Sequence, residues 1–286
     1  MVMDFVDGRI FSGSQGVDIF CHYWKPQQQS GEKPRGLVFM AHGLFEYCGT
    51  DKTLIDALIG AGYFVFGHDH SGHGKSGGIK GQVISIDHYV TDVLAHVEVV
   101  KQKFPGLPVF IVGHSMGGTI TLLAALEQPQ LFRGVVLVAP FIIENPEAAS
   151  PLKKFLARHL SKIAPNLGMV NLNNDHLTFN REVVERFNTD PLIFRDKVTI
   201  GTGYALLQAI EKLGPRIKDI RFPFLCIHGD ADKMADVRGA RLLENTPSTD
   251  KTISIYPNAY HRVQDEPNGV GEKCVAEVLS WISARS

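Results

Sequence analysis

The pentapeptide Gly113-His114-Ser115-Met116-Gly117 constrains this chain more than any other stretch, because of what flanks it. Pro108 to Val112 is a short apolar run suited to a strand buried on both faces. Gly118 to Glu127 has a helical pattern closed by Pro129. Small residues at 113 and 117 let strand and helix backbones approach closely, which forces a tight turn at Ser115 and lifts its hydroxyl above a sheet edge. Such pentapeptides arise by chance in chains of this size, so it is the strand–turn–helix context that makes Ser115 a candidate nucleophile.

The rest of the chain supplies a sheet for that turn. The start reads as a hairpin, with Gly8 to Phe11 and Val17 to Trp24 joined by a turn at Gly13-Ser14-Gln15-Gly16. After a polar loop from Gln27 to Arg35, apolar runs alternate with helical patterns. The runs are Leu37 to Ala41, Tyr63 to Phe66, Val109 to Val112, Val135 to Val138, Phe224 to Ile227 and Thr252 to Tyr256. That alternation predicts an α/β fold with a mostly parallel, doubly wound sheet, whose chemistry collects at the strand C-terminal ends. From Phe141 to Lys218 no clear buried strand appears, only helical stretches interrupted by prolines. The expected organisation is therefore a core over 1–140 and 219–286 with a helical cap inserted over 141–218. Within it, Pro151 to Ile163 sets Leu152, Phe155, Leu156, Leu160 and Ile163 at helical spacing among Lys153, Lys154, Arg158 and Lys162. Such a face fits a membrane surface, and equally a cap helix packed on the core.

Several function classes are disfavoured. A net charge of −1 gives no field that would gather nucleic acid. The longest apolar run, near Val135 to Ile143, is too short to span a bilayer, and the first residues do not read as a signal peptide. Cys21, Cys48, Cys226 and Cys274 lie far apart, which argues against a disulfide framework and a metal knuckle and favours a reducing, cytoplasmic setting. Gly72, Gly74 and Gly77 match a dinucleotide fingerprint formally, but no helix opens directly behind them. His68, His70 and His73 lack a supporting carboxylate or cysteine cluster, so neither a metal nor any other cofactor is expected.

A serine hydroxyl needs a base within hydrogen-bond reach and an acid that orients the base. The acid is expected after the strand Phe224 to Ile227, where Asp230, Asp232 and Asp236 compete. Asp232 is favoured, because Asp230 directly follows Gly229 in the turn and is better placed to bond local amides. His261 follows the final strand and is the expected base. The Met116 amide and the Leu44 amide, after His42-Gly43, are the expected oxyanion donors.

These residues together resemble the α/β-hydrolase superfamily and, within it, the monoacylglycerol lipases. The likeness runs through Gly67-His68-Asp69-His70-Ser71-Gly72-His73-Gly74-Lys75-Ser76, Pro105 to Phe110, Gly113 to Gly118, Asp190-Pro191-Leu192-Ile193 and Ala259-Tyr260-His261. It implies an α/β-hydrolase fold and a serine lipase cleaving the ester of a monoacylglycerol, with Ser115, Asp232 and His261 as triad. It also implies a cap that touches membranes and lines an acyl tunnel, hence a cytoplasmic enzyme held peripherally at membranes. Glu46, Phe187 and Gln264 fall at positions that the resemblance assigns to the substrate's polar end. The vertebrate enzymes carry an arginine where Thr50 stands, a histidine in place of Gln264 and a tyrosine in place of Phe187. A lysophospholipase or general carboxylesterase is the alternative within hydrolases, and a catalytically silent binding protein the alternative outside them.

Overall fold

Five runs with apolar residues on both pleat faces become the centre of one sheet. In a computed structural model, which describes residues 8, 10–26, 33–144 and 158–286, these are β3 (Leu37–Ala41), β4 (Phe64–His68), β5 (Val109–His114), β6 (Gly134–Val138) and β9 (Phe224–Gly229). Every residue in them is buried. Strands β1 (Ile10–Ser12), β2 (Asp18–Trp24) and β10 (Lys251–Tyr256) complete the order β1-β2-β4-β3-β5-β6-β9-β10. Pairing is parallel from β4 to β10, and antiparallel only where β1 and β2 add to the β4 edge.

Helices cover both faces, as strands apolar on both sides require. On one face lie α2 (Ile86–Lys103), whose Tyr89, Val93, Val97 and Val100 repeat at helical spacing, and α3 (Met116–Glu127), buried from Met116 to Ala125. Ser85 caps α2 by accepting the Asp87 N–H at 3.2 Å. The other face is covered by α1 (Lys52–Gly60) and α8 (Val270–Ser283), which bring Leu54, Leu58, Val278 and Ile282 against Val38, Val65 and Leu225. Each such buried aliphatic side chain contributes roughly 1.5–3 kcal/mol.

Between β6 and β9 the chain departs from the alternation. It forms α4 (158–163), the short antiparallel pair β7 (Gly168–Val170) and β8 (Val198–Thr199), α5 (Arg181–Thr189) and α6 (Ile200–Leu213). Leu177, Val183, Phe187 and Ile193 make a small apolar cluster of their own, with Tyr47 and Met234 against it. Helix α6 behaves differently. Its Ala205, Ala209 and Leu213 join the main core beside α3, so one helix of the segment expected as cap packs as part of the central layer. Residues 151–157 of the expected amphipathic helix, including Lys153 and Lys154, lie outside the described residues.

Candidate active site

The turn at Ser115 is as tight as its sequence suggests. Ser115 has φ 55° and ψ −118°, a left-handed φ that a side chain rarely adopts, and its N–H donates to Val138 O at 3.0 Å. Both flanking glycines are required by space. A Cβ at Gly113 would lie 2.3 Å from Gly117 O, and one at Gly117 would lie 1.9 Å from Ala41 O. The Met116 amide belongs to the first turn of α3, whose N–H groups have no partner within the helix.

The loop after β3 is held from several sides. His70 N–H donates to His42 Nε2 at 2.9 Å, so the ring proton sits on Nδ1 and is donated to Gly43 O at 2.8 Å. Burial lowers the His42 pKa, which keeps this neutral tautomer. Gly43 N–H in turn donates to Glu46 Oε2 at 3.2 Å. Leu44 is thereby carried on a pinned turn.

The three aspartates after β9 separate cleanly. Asp232 Oδ2 accepts from His261 Nδ1 at 2.7 Å, while its Oδ1 accepts the Met234 and Ala235 amides at 2.7 and 3.0 Å. Burial would raise its pKa, but the His261 imidazole and the donated hydrogen bonds hold it well below the usual carboxylate range. Asp232 is therefore an ionised acceptor, and His261 has its proton on Nδ1 with Nε2 left as the basic atom. Burial lowers the His261 pKa, only partly offset by Asp232. Asp230 Oδ1 instead accepts the Asn258 amide at 2.6 Å, and Asp236 caps α7 (Val237–Leu242) through Arg238 N–H.

Ser115, His261, Leu44, Met116, Glu46 and Phe187 all line one cavity of about 450 Å³. Its walls are apolar where Leu177, Ile193, Phe194, Val198, Leu206 and Met234 contribute. Its rim is polar where Asn173, Asn188, Asp175, Arg195 and Asp196 contribute. Apolar walls, a polar rim and Ser115 at one side give the cavity the character of a small-molecule site.

Two of the expected substrate-end residues belong to a buried ionic cluster. Gln264 is absent from the cavity lining and donates its Nε2 to Asp51 Oδ1 at 3.0 Å within a buried ionic cluster. Glu46 lines the cavity, yet its carboxylate is committed to that same cluster, where Arg262 Nη1 donates to Oε1 at 3.0 Å. Arg262, fully buried, also donates Nε to Asp265 Oδ2 at 2.7 Å and Nη2 to Asp51 Oδ1 at 2.8 Å, and stands 4.8 Å from the Phe187 ring centroid. Burial opposes ionisation of Glu46, but the Arg262 charge beside it holds its pKa well below the ordinary range. Sequence reasoning missed Arg262, although its position directly after His261 was the available signal. Glu46, Asp51 and His114 also present ligand atoms within 4.8 Å of one another, but the guanidinium already supplies the cation there. His68, His70 and His73 are packed in a ring cluster with His42, Tyr89 and His96.

Comparisons with known proteins agree with this geometry. Residues 32–268 match the Hydrolase_4 family, described as "Serine aminopeptidase, S33". The monoglyceride lipase of Mus musculus is 39% identical over 273 residues, covering 95% of this chain and 89% of that protein. Among solved structures, the Paleococcus ferrophilus monoacylglycerol lipase is 29% identical with TM-score 0.82, covering 94% of this chain and 99% of its own. A soluble variant of the Saccharomyces cerevisiae monoglyceride lipase, solved with a substrate analogue, is 25% identical with TM-score 0.85, covering 100% and 98%. A serine on a strained strand-to-helix turn, an aspartate-bound histidine at the same sheet edge and these matches lead to one conclusion: the chain belongs to the Hydrolase_4 family of α/β-hydrolases, among the monoglyceride lipases.

Proposed function

We propose that this protein is a serine hydrolase that cleaves monoacylglycerols to fatty acid and glycerol through an acyl-enzyme. The observation that carries the reading is that Ser115 and His261 line one apolar-walled cavity while Asp232 holds His261 Nδ1 at 2.7 Å. Names borne by its relatives support the substrate: the mouse, archaeal and yeast proteins above are all monoglyceride or monoacylglycerol lipases.

The steps follow from the protonation states. Ser115 Oγ attacks the ester carbonyl as His261 Nε2 takes its proton, and Asp232 stabilises the imidazolium without becoming protonated. The Met116 and Leu44 amides bind the developing oxyanion. His261 then protonates the departing glycerol oxygen, and a water activated by the same nitrogen releases the fatty acid. The described residues 158–199 act as the cap over this site, with Phe187 against the substrate. A neutral leaving group suits the cavity better than a phosphate-bearing one. Arg262 is fully paired, the rim's Arg195 donates Nη1 to Asp190 O at 2.6 Å, and Asp175 and Asp196 share that rim, so no surplus of cations waits for an anion.

We assign membrane contact to the cap as well. No described helix is long and apolar enough to cross a membrane. Between 160 and 170, however, Leu160, Ile163, Leu167, Met169 and Val170 are all exposed, beside exposed Arg158 and Lys162. That composition suits peripheral, reversible attachment of a cytoplasmic enzyme. The catalytic reading is tested with Ser115→Ala on monoacylglycerol and with a fluorophosphonate probe. Folded Ser115→Ala protein should lose kcat by about 10⁵ or more and all labelling, and persistent labelling would refute the assignment.

A further inference from the structure

Asp232 Oδ2 is shared by two imidazoles. His228 Nε2 lies 3.0 Å from it, in addition to His261 Nδ1 at 2.7 Å. His228 is the penultimate residue of β9 and is fully buried, and the steps above make no use of it. Its tautomer follows from its neighbours. Nε2 faces two acceptors, Asp232 Oδ2 and Ala235 O at 3.2 Å, so it carries a proton and donates. Nδ1 is buried with no hydrogen-bond partner among the described residues, which costs least when it bears only a lone pair.

We infer that His228 is a positioning residue for the triad, whose Nε2–H holds Asp232 Oδ2 in register with His261 and tempers the basicity of that carboxylate. This rests on the reading of Asp232 as the triad acid. With the two amides on Oδ1, the carboxylate accepts four donors and cannot rotate about its Cβ–Cγ bond without losing several together. A carboxylate so fully bonded pulls less strongly on the His261 proton. The imidazole is then oriented, yet it releases its proton readily and remains a free base at lower pH.

The groups facing His261 are few. Asp232 comes from the turn after β9, His228 from β9 itself, and His114 from β5 with its ring centroid 4.7 Å away. Glu46 stands behind His114 at 3.4 Å, and Arg262 follows His261 in the chain but is spent on Glu46, Asp51 and Asp265. His228 alone among them donates to the same oxygen. The direction of the His261 pKa agrees, since both His114 and His228 act to lower it.

The test is the pH profile of kcat/KM on a water-soluble p-nitrophenyl ester for His228→Leu, His228→Gln and Asp232→Asn. His228→Leu removes the donor, so kcat should fall about tenfold and the acid limb should move up by about half a pH unit or more. His228→Gln can place an amide N–H where Nε2 stood, and should keep the wild-type limb with kcat within about twofold. A packing role alone would lower stability without moving the limb. An unmoved limb in active His228→Leu, or a glutamine variant that follows the leucine one, overturns the inference. Should His228→Leu not fold, His228→Asn, too short to reach Asp232, replaces it. Wild-type protein with ¹⁵N-labelled histidine decides independently: a His228 proton on Nε2 supports the inference, and one on Nδ1 overturns it. Asp232→Asn separates the two readings, because wild-type activity there would refute the triad itself, whereas its loss beside an unmoved His228→Leu limb would refute only this role.

Discussion

Arg262 Nη1 and Glu46 Oε1 meet at 3.0 Å across 216 residues of sequence, joining the loop that carries His261 to the loop that carries Leu44. One guanidinium thus fixes the spacing between the candidate base and a candidate oxyanion donor. It also satisfies Asp51 and Asp265 and stacks on Phe187 from the cap. Arg262 is absent from the cavity lining; it ties together loops that carry residues of that lining.

Arg262→Met should therefore be among the most damaging substitutions away from the reacting atoms. Removing one member of a buried ionic cluster typically costs about 3–5 kcal/mol, because the other charges stay buried without a partner. Arg262→Lys should recover little of this, since a single ammonium cannot fork to three carboxylates. Urea denaturation with kcat measured on the folded fraction checks both. A loss below about 1 kcal/mol for Arg262→Met would mean the cluster relaxes by hydration or protonation.

The two aspartates offer a sharper contrast. Asp232→Asn should leave the fold intact while favouring the wrong imidazole tautomer, lowering kcat by roughly 10⁴ by analogy with serine proteases. Asp230 only accepts the Asn258 amide, a bond that an asparagine carbonyl can also accept, so Asp230→Asn should change kcat little. Single-variant kinetics on one ester decides it, and a reversed order would transfer the acid role to Asp230.

Much of this site could be read from the chain, and the reason is local. The strand run before Ser115, the small residues at 113 and 117 and the turn signals after β9 each act within a few residues, where sequence pattern and geometry are tightly coupled. Arg262 and Glu46 could not be paired that way. Their contact depends on how two loops from opposite ends of the chain meet, and glutamate in a loop near the site reads equally well as a ligand for substrate. The partner of Gln264 is hidden for the same reason, since only the fold brings Asp51 to it. The place of helix α6 is not legible locally, because its apolar spacing is that of any amphipathic helix and nothing nearby says which surface receives Ala205 and Ala209.

Two histidines should titrate in opposite senses. His261 must be neutral to accept a proton, and burial lowers its pKa, so the acid limb of kcat/KM should fall below the ordinary histidine value of about 6.5. For His114, burial lowers the pKa but Glu46 more than compensates, and the net direction is upward. Its folded pKa thus exceeds its unfolded one, so its contribution to stability is fully present below the unfolded value and is lost as pH rises through the folded one. Glu46→Gln should flatten this component of the pH–stability curve between those two values. Urea midpoints for both proteins across that window test it, and parallel curves would show that His114 does not hold the extra proton.

The exposed apolar residues between 160 and 170 carry the last prediction. Ile163 is 80% exposed and Leu167 58% exposed, far more than a soluble surface needs of large aliphatics placed so close together. A monoacylglycerol partitions into bilayers, so an enzyme whose cap inserts there meets a much higher substrate concentration than one in bulk water. Transferring each of these side chains into the acyl boundary should contribute about 1.5–3 kcal/mol, with Arg158 and Lys162 adding about 1 kcal/mol each at an anionic surface. Ile163→Ser with Leu167→Ser should therefore weaken co-sedimentation with both neutral and anionic liposomes, whereas Lys162→Glu should weaken it on anionic ones alone. Hydrolysis of a water-soluble short-chain ester should barely change in either protein, because none of the three residues lines the cavity. Hydrolysis of vesicle-borne monoacylglycerol should fall in step with binding. Unchanged sedimentation of the double serine variant would mean that this surface does not dock, and that substrate reaches Ser115 from solution.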